Sequence, residues 1–263
     1  MRLCGIISMH ELYTVEGEKL KNDPEWIPWN MHPRPLMERD SFLNLCGWWD
    51  FSVNHGGHII KTDSDKIRVP FPPESLLSGI NTHFPEGAEL IYERDVVIPE
   101  GFREDRLLLH IDAADQHAEV FIDGKKYGGH DGGYEHFTVD ISSALDSFRL
   151  KIVVSDDLHD MREPYGKQRI RRGGMWYTPF SGLWQIVWIE SVRESYVKDI
   201  EIHTDRKEAR ISTGDPSHKG YLIVHCPDGE ERHELIRGEV RICPEPARNW
   251  TPEDPISTVS SCF

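Results

Sequence analysis

The sequence predicts an all-β chain, and three observations predict it. Apolar residues recur at every second position in short runs. Turn residues separate those runs. No window sustains the periodicity of about 3.6 residues that marks a capped helix. Short alternating strands of this kind suit a β-sandwich or jelly roll.

The elements follow in order. Residues 1–40 are polar and carry Pro24, Pro28, Pro33 and Pro35, which reads as an arm over a domain surface. From Phe42 the pattern becomes β: Trp49, Phe51 and Val53 alternate, and His55-Gly56-Gly57 turns the chain. The apolar run 67–71 stops at Pro72-Pro73. Tyr92, Arg94, Val96 and Ile98 alternate before Pro99, and Leu107, Leu109 and Ile111 follow. Ala118, Val120 and Ile122 lead into Asp123-Gly124, a type I′ hairpin signal. His130, Asp131 and Tyr134, with their glycines, read as a tight turn rather than a metal site. Phe137 and Val139, then Leu150, Ile152 and Val154, complete the alternation before a loop over 155–178.

The stretch 173–190, GGMWYTPFSGLWQIVWIE, is the most distinctive segment. Trp176, Tyr177, Phe180, Trp184 and Trp188 crowd around Gly173, Gly174, Pro179 and Gly182. Aromatic rings cost little entropy to order and offer flat faces on which the C–H faces of sugars stack. They equally suit a core strand after a tight turn. Residues 183–189 read as one strand, apolar on both faces. An outer strand of a lone sandwich is polar on one side, so another domain or a subunit is expected over the second face. Beyond residue 196, the runs 200–202, 210–212, 221–226 and 239–243 read as four short strands, with Asp228-Gly229 as a turn. They have immunoglobulin-like character, but such a sandwich needs about seven strands over roughly 100 residues. The expected organisation is an arm (1–40), a sandwich (41–195) and an incomplete second sandwich (196–263).

At 263 residues and 38% apolar content the chain can fold around a core without staples. Its net charge of −15 excludes nucleic acid and an anionic membrane surface as natural partners, and leaves neutral sugars compatible. Cys4, Cys46, Cys226, Cys243 and Cys262 are scattered, odd in number and without zinc spacing, which points to reduced thiols and a cytoplasmic location. The first residues hold no sustained apolar signal region, and no run approaches the roughly 20 apolar residues of a membrane span.

Taken together, several segments resemble the N-terminal half of glycoside hydrolase family 2, the β-galactosidase and β-glucuronidase family. They are SFLNLCGWWDF (41–51), VPFPPES (69–75), YERDVVIP (92–99), LLLHIDAADQHAEVFIDGKKYGGHDGGYEHFTVDI (107–141) and the aromatic stretch 173–190. The resemblance implies a jelly-roll sugar-binding domain over 41–195 and a partial immunoglobulin-like domain after it. NWTPEDP (249–255) looks like the family's stretch before the last strands of that domain, whereas ISTVSSCF (256–263) departs from it and suggests truncation. In the family a TIM barrel follows and performs the chemistry.

What the resemblance implies for function is then limited by what is absent. Retaining glycosidases need two carboxylates about 5 Å apart, and in this family both are glutamates on a barrel of about 250 residues. Two β domains leave no room for it. The family's acid/base glutamate lies in an Asn-Glu pair, which does not occur here. Nothing marks two acids as a dyad; Glu119, Glu135 and Glu190 read as solvated faces. No catalytic residue is therefore assigned. The expected function is the non-catalytic front portion of a retaining β-galactosidase-like enzyme. The alternatives are a stand-alone carbohydrate-binding module and a piece that complements a separate barrel chain.

In the family, jelly-roll loops help hold the terminal sugar. The Asp after strand 150–154 resembles one such position, so Asp156 or Asp157 is a sugar-binding candidate, though either suits an Asx turn. Trp176 and Tyr177 lie on the loop that neighbours the site in relatives; their role would be stacking on the sugar or packing against the barrel. Arg169, Arg171 and Arg172 form a basic knot that reads by default as a salt-bridged surface. No cofactor and no metal is assigned: the histidines lack ligand spacing, and the magnesium or sodium sites of some relatives rest largely on the barrel. The partner implied is a β-galactoside or related β-glycoside in the parent enzyme. An unfinished second sandwich would expose sheet edges and self-associate.

Overall fold

The computed structural model describes residues 15–23, 25–34, 37–157, 162–205, 208–226, 229–243 and 251–253. The chain divides into two compact units, Met1–Pro33 with Arg39–Ser191, and Arg34–Glu38 with Val192–Phe263. The sequence stretches 244–250 and 254–263, on which the truncation argument rests, lie outside the described residues, as does Asp228 of the expected turn.

Unit 1 opens with a helix, α1 (Val15–Asn22), which no sequence window announced. An isolated helix this short is unstable in water. Tertiary contact supplies what the sequence pattern lacks: the buried Arg68 donates to the Leu20 carbonyl at 2.7 Å and the Asp23 carbonyl at 3.2 Å, satisfying the helix end. The strands are β1 (Phe42–Asn44), β2 (Gly47–His55), β3 (His58–Ile60), β4 (Lys66–Val69), β5 (Glu89–Val97), β6 (Arg106–Ile111), β7 (Ala114–Asp115), β8 (His117–Ile122), β9 (Lys125–Asp131), β10 (Phe137–Asp140), β11 (Ser147–Ser155), β12 (Gly182–Leu183) and β13 (Val187–Val192). The order β1-β13-β6-β10 forms one sheet. The second runs β3-β2-β5-β11-β8-β9, with β4 also on β2. The all-β sandwich expected from the alternation is what forms.

Alternation places the core. In β11, Phe148, Leu150, Ile152 and Val154 point inward, and Arg149, Lys151 and Val153 point outward. Trp49, Phe51 and Val53 from β2, Leu90 and Tyr92 from β5, and Leu107, Leu109 and Ile111 from β6 meet them in one apolar cluster. Asp123 and Gly124 both have positive φ, 49° and 80°, as a type I′ turn requires. His130 and Asp131 are not in the turn that the glycines suggested: they end β9, and His130 stacks on Phe137 at 4.9 Å. The turn itself begins at Gly132, whose N–H donates to the Gln116 carbonyl.

The stretch 183–189 is not one strand. Gly182, at φ +76°, bends the chain against Tyr92, whose hydroxyl lies where a side chain at Gly182 would begin. Short β12 pairs with β7, and the chain then crosses Trp184–Ile186 before β13 starts. Every residue of β13 is buried, and the second face is covered from within unit 1 rather than by another domain or subunit. Trp188 packs against His32 of the arm, Phe42 of β1 and His110 of β6, with ring centroids at 5.2, 5.8 and 4.1 Å.

Glu190 lies on this covered face, and its reading as a solvated side chain is corrected. It is 1% exposed. Arg39 donates to one carboxylate oxygen at 2.7 Å and His110 Nε2 faces the other at 3.1 Å. His110 Nδ1 is 2.9 Å from the Thr138 hydroxyl, and the imidazole stacks on Trp188. Burial pushes the Glu190 pKa up, but the His110 hydrogen bond and the Arg39 charge outweigh it and hold the carboxyl below its ordinary value. Glu119 and Glu135 are exposed, in keeping with the sequence.

Unit 2 contains β14 (Glu201–Thr204), β15 (Ala209–Ser212), β16 (Tyr221–Cys226), β17 (Gly229–Glu234) and β18 (Glu239–Ile242). A three-stranded sheet runs β14-β15-β18, and β16 pairs with β17 as a hairpin. Five strands are described where the sequence suggested four. The extra one, β17, reads GEERHE and has no apolar alternation to betray it. Pairing holds it: its residues match β16 one for one from Tyr221–Glu234 to Cys226–Gly229. Ile202, Tyr221, Ile223 and Ile236 are exposed, and Val240 of β18 is buried.

Candidate functional site

One end of the unit 1 sandwich carries a shallow, open cleft. Phe84, Leu90, Pro179 and Phe180 give it apolar walls, and Glu74, Ser181 and Asp156 give it polar ones. Each polar group arrives from a different element. Glu74 follows the prolines after β4, Asp156 follows β11, and Ser181 directly precedes β12. The sandwich therefore brings together residues far apart in the chain.

Glu74 is buried, and Ser181 occupies both of its oxygens. The Ser181 backbone N–H donates to one at 3.1 Å and the Ser181 hydroxyl to the other at 2.7 Å. Burial pushes the Glu74 pKa up to about 7, against the pull of these bonds and with help from the Asp156 charge. Asp156 rises to about 6, through burial first and the neighbouring Asp157 second. Behind them, Asp115 of β7 is 2% exposed. Its pKa rises to about 7, through burial and then through Asp156, with a Gln168 hydrogen bond opposing. The three acids thus titrate as an interacting group.

The aromatic loop lies beside this cleft. The Tyr177 N–H donates to the Lys167 carbonyl at 2.8 Å and the Arg169 N–H to the Tyr177 carbonyl at 3.1 Å. These two rungs close the loop into a narrow arch. Arg169 spreads its guanidinium over the Trp176 ring at 3.8 Å, so part of the basic knot is a cation–π stack. Arg172 donates to the Thr178 hydroxyl at 2.9 Å.

The four sugar-binding candidates separate. Asp156 lines the cleft. Asp157 is exposed beside it and acts on it through charge. Trp176 is half-buried under Arg169, and Tyr177 is 70% exposed. Both sit on the arch rather than on the cleft wall. The sequence missed Glu74, Asp115 and Gln168. Pro-Pro-Glu-Ser and Ala-Asp-Gln contain no signal that their polar side chains turn inward, because burial arises only when distant strands meet. Cys46 is also buried, which pushes its thiol up to about 12 and leaves it unreactive. Among the described residues, no group of three or more His, Cys, Asp or Glu side chains could hold a metal ion, and no helix is long and apolar enough to cross a membrane.

No family model matches the chain. It is 28% identical over 234 residues to a β-glucuronidase of Paenibacillus borealis, covering 78% of this chain and 37% of that protein. It is 21% identical over 123 residues to a β-galactosidase of Thermoanaerobacter pseudethanolicus, covering 46% and 16%. The solved β-glucuronidase of Faecalibacterium prausnitzii superposes with a TM-score of 0.61 at 17% identity, covering 86% of this chain and 44% of that one. The chain spans less than half the length of each of these proteins. Its fold is therefore that of the β-sandwich part of these β-glucuronidase structures. The proteins it resembles are β-glucuronidases and a β-galactosidase, each matched over part of its length.

Proposed function

We propose that this chain is the non-catalytic front portion of a family 2 enzyme that cleaves a β-glycoside with retention, and that the cleft at Asp156 helps hold the terminal sugar. One observation carries the sugar-binding part. Asp156, one of the two aspartates the family resemblance offers, is the candidate that lines a cleft with apolar aromatic walls. A carboxylate there can accept from adjacent sugar hydroxyls, while Phe84 and Phe180 cover the C–H face.

The non-catalytic part rests on the geometry of the acids. Retention needs one carboxyl to attack and another, about 5 Å away, to protonate the leaving oxygen. In this cleft both Glu74 oxygens are engaged by Ser181. Asp115 is buried and does not line the cleft. Asp156 and the exposed Glu86 remain to face a ligand, and carboxylates so placed can orient a sugar without cleaving it. The sugar in the parent is a β-galactoside or the β-glucuronide that the names of the relatives suggest.

Calorimetry with methyl β-galactoside and methyl β-glucuronide tests the binding. Wild-type chain should bind one of them with a dissociation constant on the order of millimolar, and Asp156→Asn should weaken it about tenfold, the cost of one charge-assisted hydrogen bond. Equal affinity of the wild type and Asp156→Asn would show that the cleft carboxylate does not touch the sugar.

A further inference from the structure

We infer that Gln168 is the positioning residue that fixes the aromatic arch beside the cleft and so shapes the ligand subsite. The inference rests on the sugar-binding reading of that cleft.

Gln168 is 5% exposed, and each part of its amide is used. Nε2 donates to the Tyr134 hydroxyl at 3.1 Å. Oε1 accepts the Phe180 N–H at 2.7 Å. Asp115 lies near enough for the amide to draw its carboxyl pKa down, against burial. A primary amide has two donors and one acceptor oxygen, so it can bond a hydroxyl, a carboxylate and a backbone N–H together. Tyr134 comes from the turn before β10, Asp115 from β7, and Phe180 from the segment entering β12. One side chain therefore meets three separate elements.

Its place in the chain gives this knot its consequence. Gln168 sits between Lys167 and Arg169, whose backbones form the two rungs with Tyr177. Phe180 is the neighbour of Ser181, the partner of Glu74 in the cleft wall. The amide thus couples the base of the arch, which presents Trp176 and Tyr177, to the wall that holds Glu74 and faces Asp156. Without it, the Phe180 N–H loses its acceptor. Asp115, one of whose oxygens already has no hydrogen-bond partner, loses a nearby donor as well. A buried acceptor left short of donors is costly, so the arch should give way before the sandwich does.

A reversed pair tests this. Gln168→Glu sets a second carboxylate against Asp115, with no donor between them. Adding Asp115→Asn restores the pairing with donor and acceptor exchanged. The amide introduced at position 115 donates to the carboxylate introduced at position 168, which still accepts the Phe180 N–H and now accepts the Tyr134 O–H, reversing the wild-type amide-to-hydroxyl bond. Hydrogen exchange of the whole chain at pH 8 is the first readout. Gln168→Glu should speed exchange at the Arg169, Tyr177 and Phe180 amides about tenfold or more and leave β6 and β11 unchanged. The double variant should return those amides to within about twofold of wild type, the non-additivity of a contacting pair. The affinity for methyl β-galactoside or methyl β-glucuronide, whichever the wild type binds, should fall and recover in step. Unchanged exchange in Gln168→Glu, or a double variant no better than the single one, overturns the positioning role. A sugar affinity indifferent to the arch overturns its link to the subsite. The stated exchange pattern in a wild-type chain that binds neither glycoside keeps the clamp and overturns the sugar-binding reading instead.

Discussion

Replacing Glu190 with Ala is expected to destabilise unit 1 by about 3–5 kcal/mol, the usual result of removing one partner from a buried charged pair. The carboxylate is enclosed, and its loss strands His110 Nε2 against Trp188 and leaves the Arg39 guanidinium without its 2.7 Å acceptor. Arg39→Ala should cost less, because that side chain reaches solvent and water can replace part of the interaction. Urea unfolding followed by tryptophan fluorescence measures both. A Glu190→Ala midpoint near that of wild type would mean that the covered face of β13 is not packed as described. The acid limb has a defined sign. The Glu190 pKa is held below its ordinary value, so its stabilisation is present above the ordinary carboxylate range and disappears as pH falls through the lowered value.

Glu74→Gln is expected to act in the opposite direction. The folded Glu74 carboxyl titrates at about 7, against 4.5 for an ordinary glutamate. A raised acid binds its proton more tightly in the folded chain. Its stabilisation is complete below about pH 4.5 and is lost as pH rises through about 7. At pH 8 the wild type therefore keeps an unfavourable buried charge. Gln preserves the shape: its carbonyl accepts the Ser181 N–H, and its amide donates to the Ser181 hydroxyl. The variant should be more stable than wild type at pH 8 by about 2–3 kcal/mol and nearly equal to it at pH 4. Asp115 and Asp156 are raised too, so the variant retains part of the downward slope. Thermal unfolding across pH 4–8 decides it. Equal stability of variant and wild type at pH 8 would place Glu74 in water rather than in the wall.

These two carboxylates show how far the sequence could be read. The sandwich was legible because burial on one face imposes a period of two, and β2, β8 and β11 carry that period in full. Asp123-Gly124 was legible because few other pairs tolerate two positive φ values. Asp156 was reached only through the family resemblance, as one of two adjacent aspartates, and it is the one that lines the cleft. Glu74 and Glu190 were not legible, because a charged residue is read as exposed unless its partner is known. The partners, Ser181, Arg39 and His110, lie 80 to 151 residues away in the chain. The same reason hid α1, whose support comes from Arg68, and β17, whose support is the register of β16. Sequence pattern records what a segment does with its own two faces; it does not record what a distant segment supplies.

Turnover is the most direct measurement of the central claim, that these residues form sugar-holding β scaffolding and not the bond-breaking site. Purified chain incubated with nitrophenyl β-galactoside and nitrophenyl β-glucuronide should release nitrophenol no faster than buffer. Asp156→Asn and Glu74→Gln should give the same blank rate. Release that follows the chain through purification and is abolished by either substitution would place a working carboxyl pair in the cleft and contradict the claim.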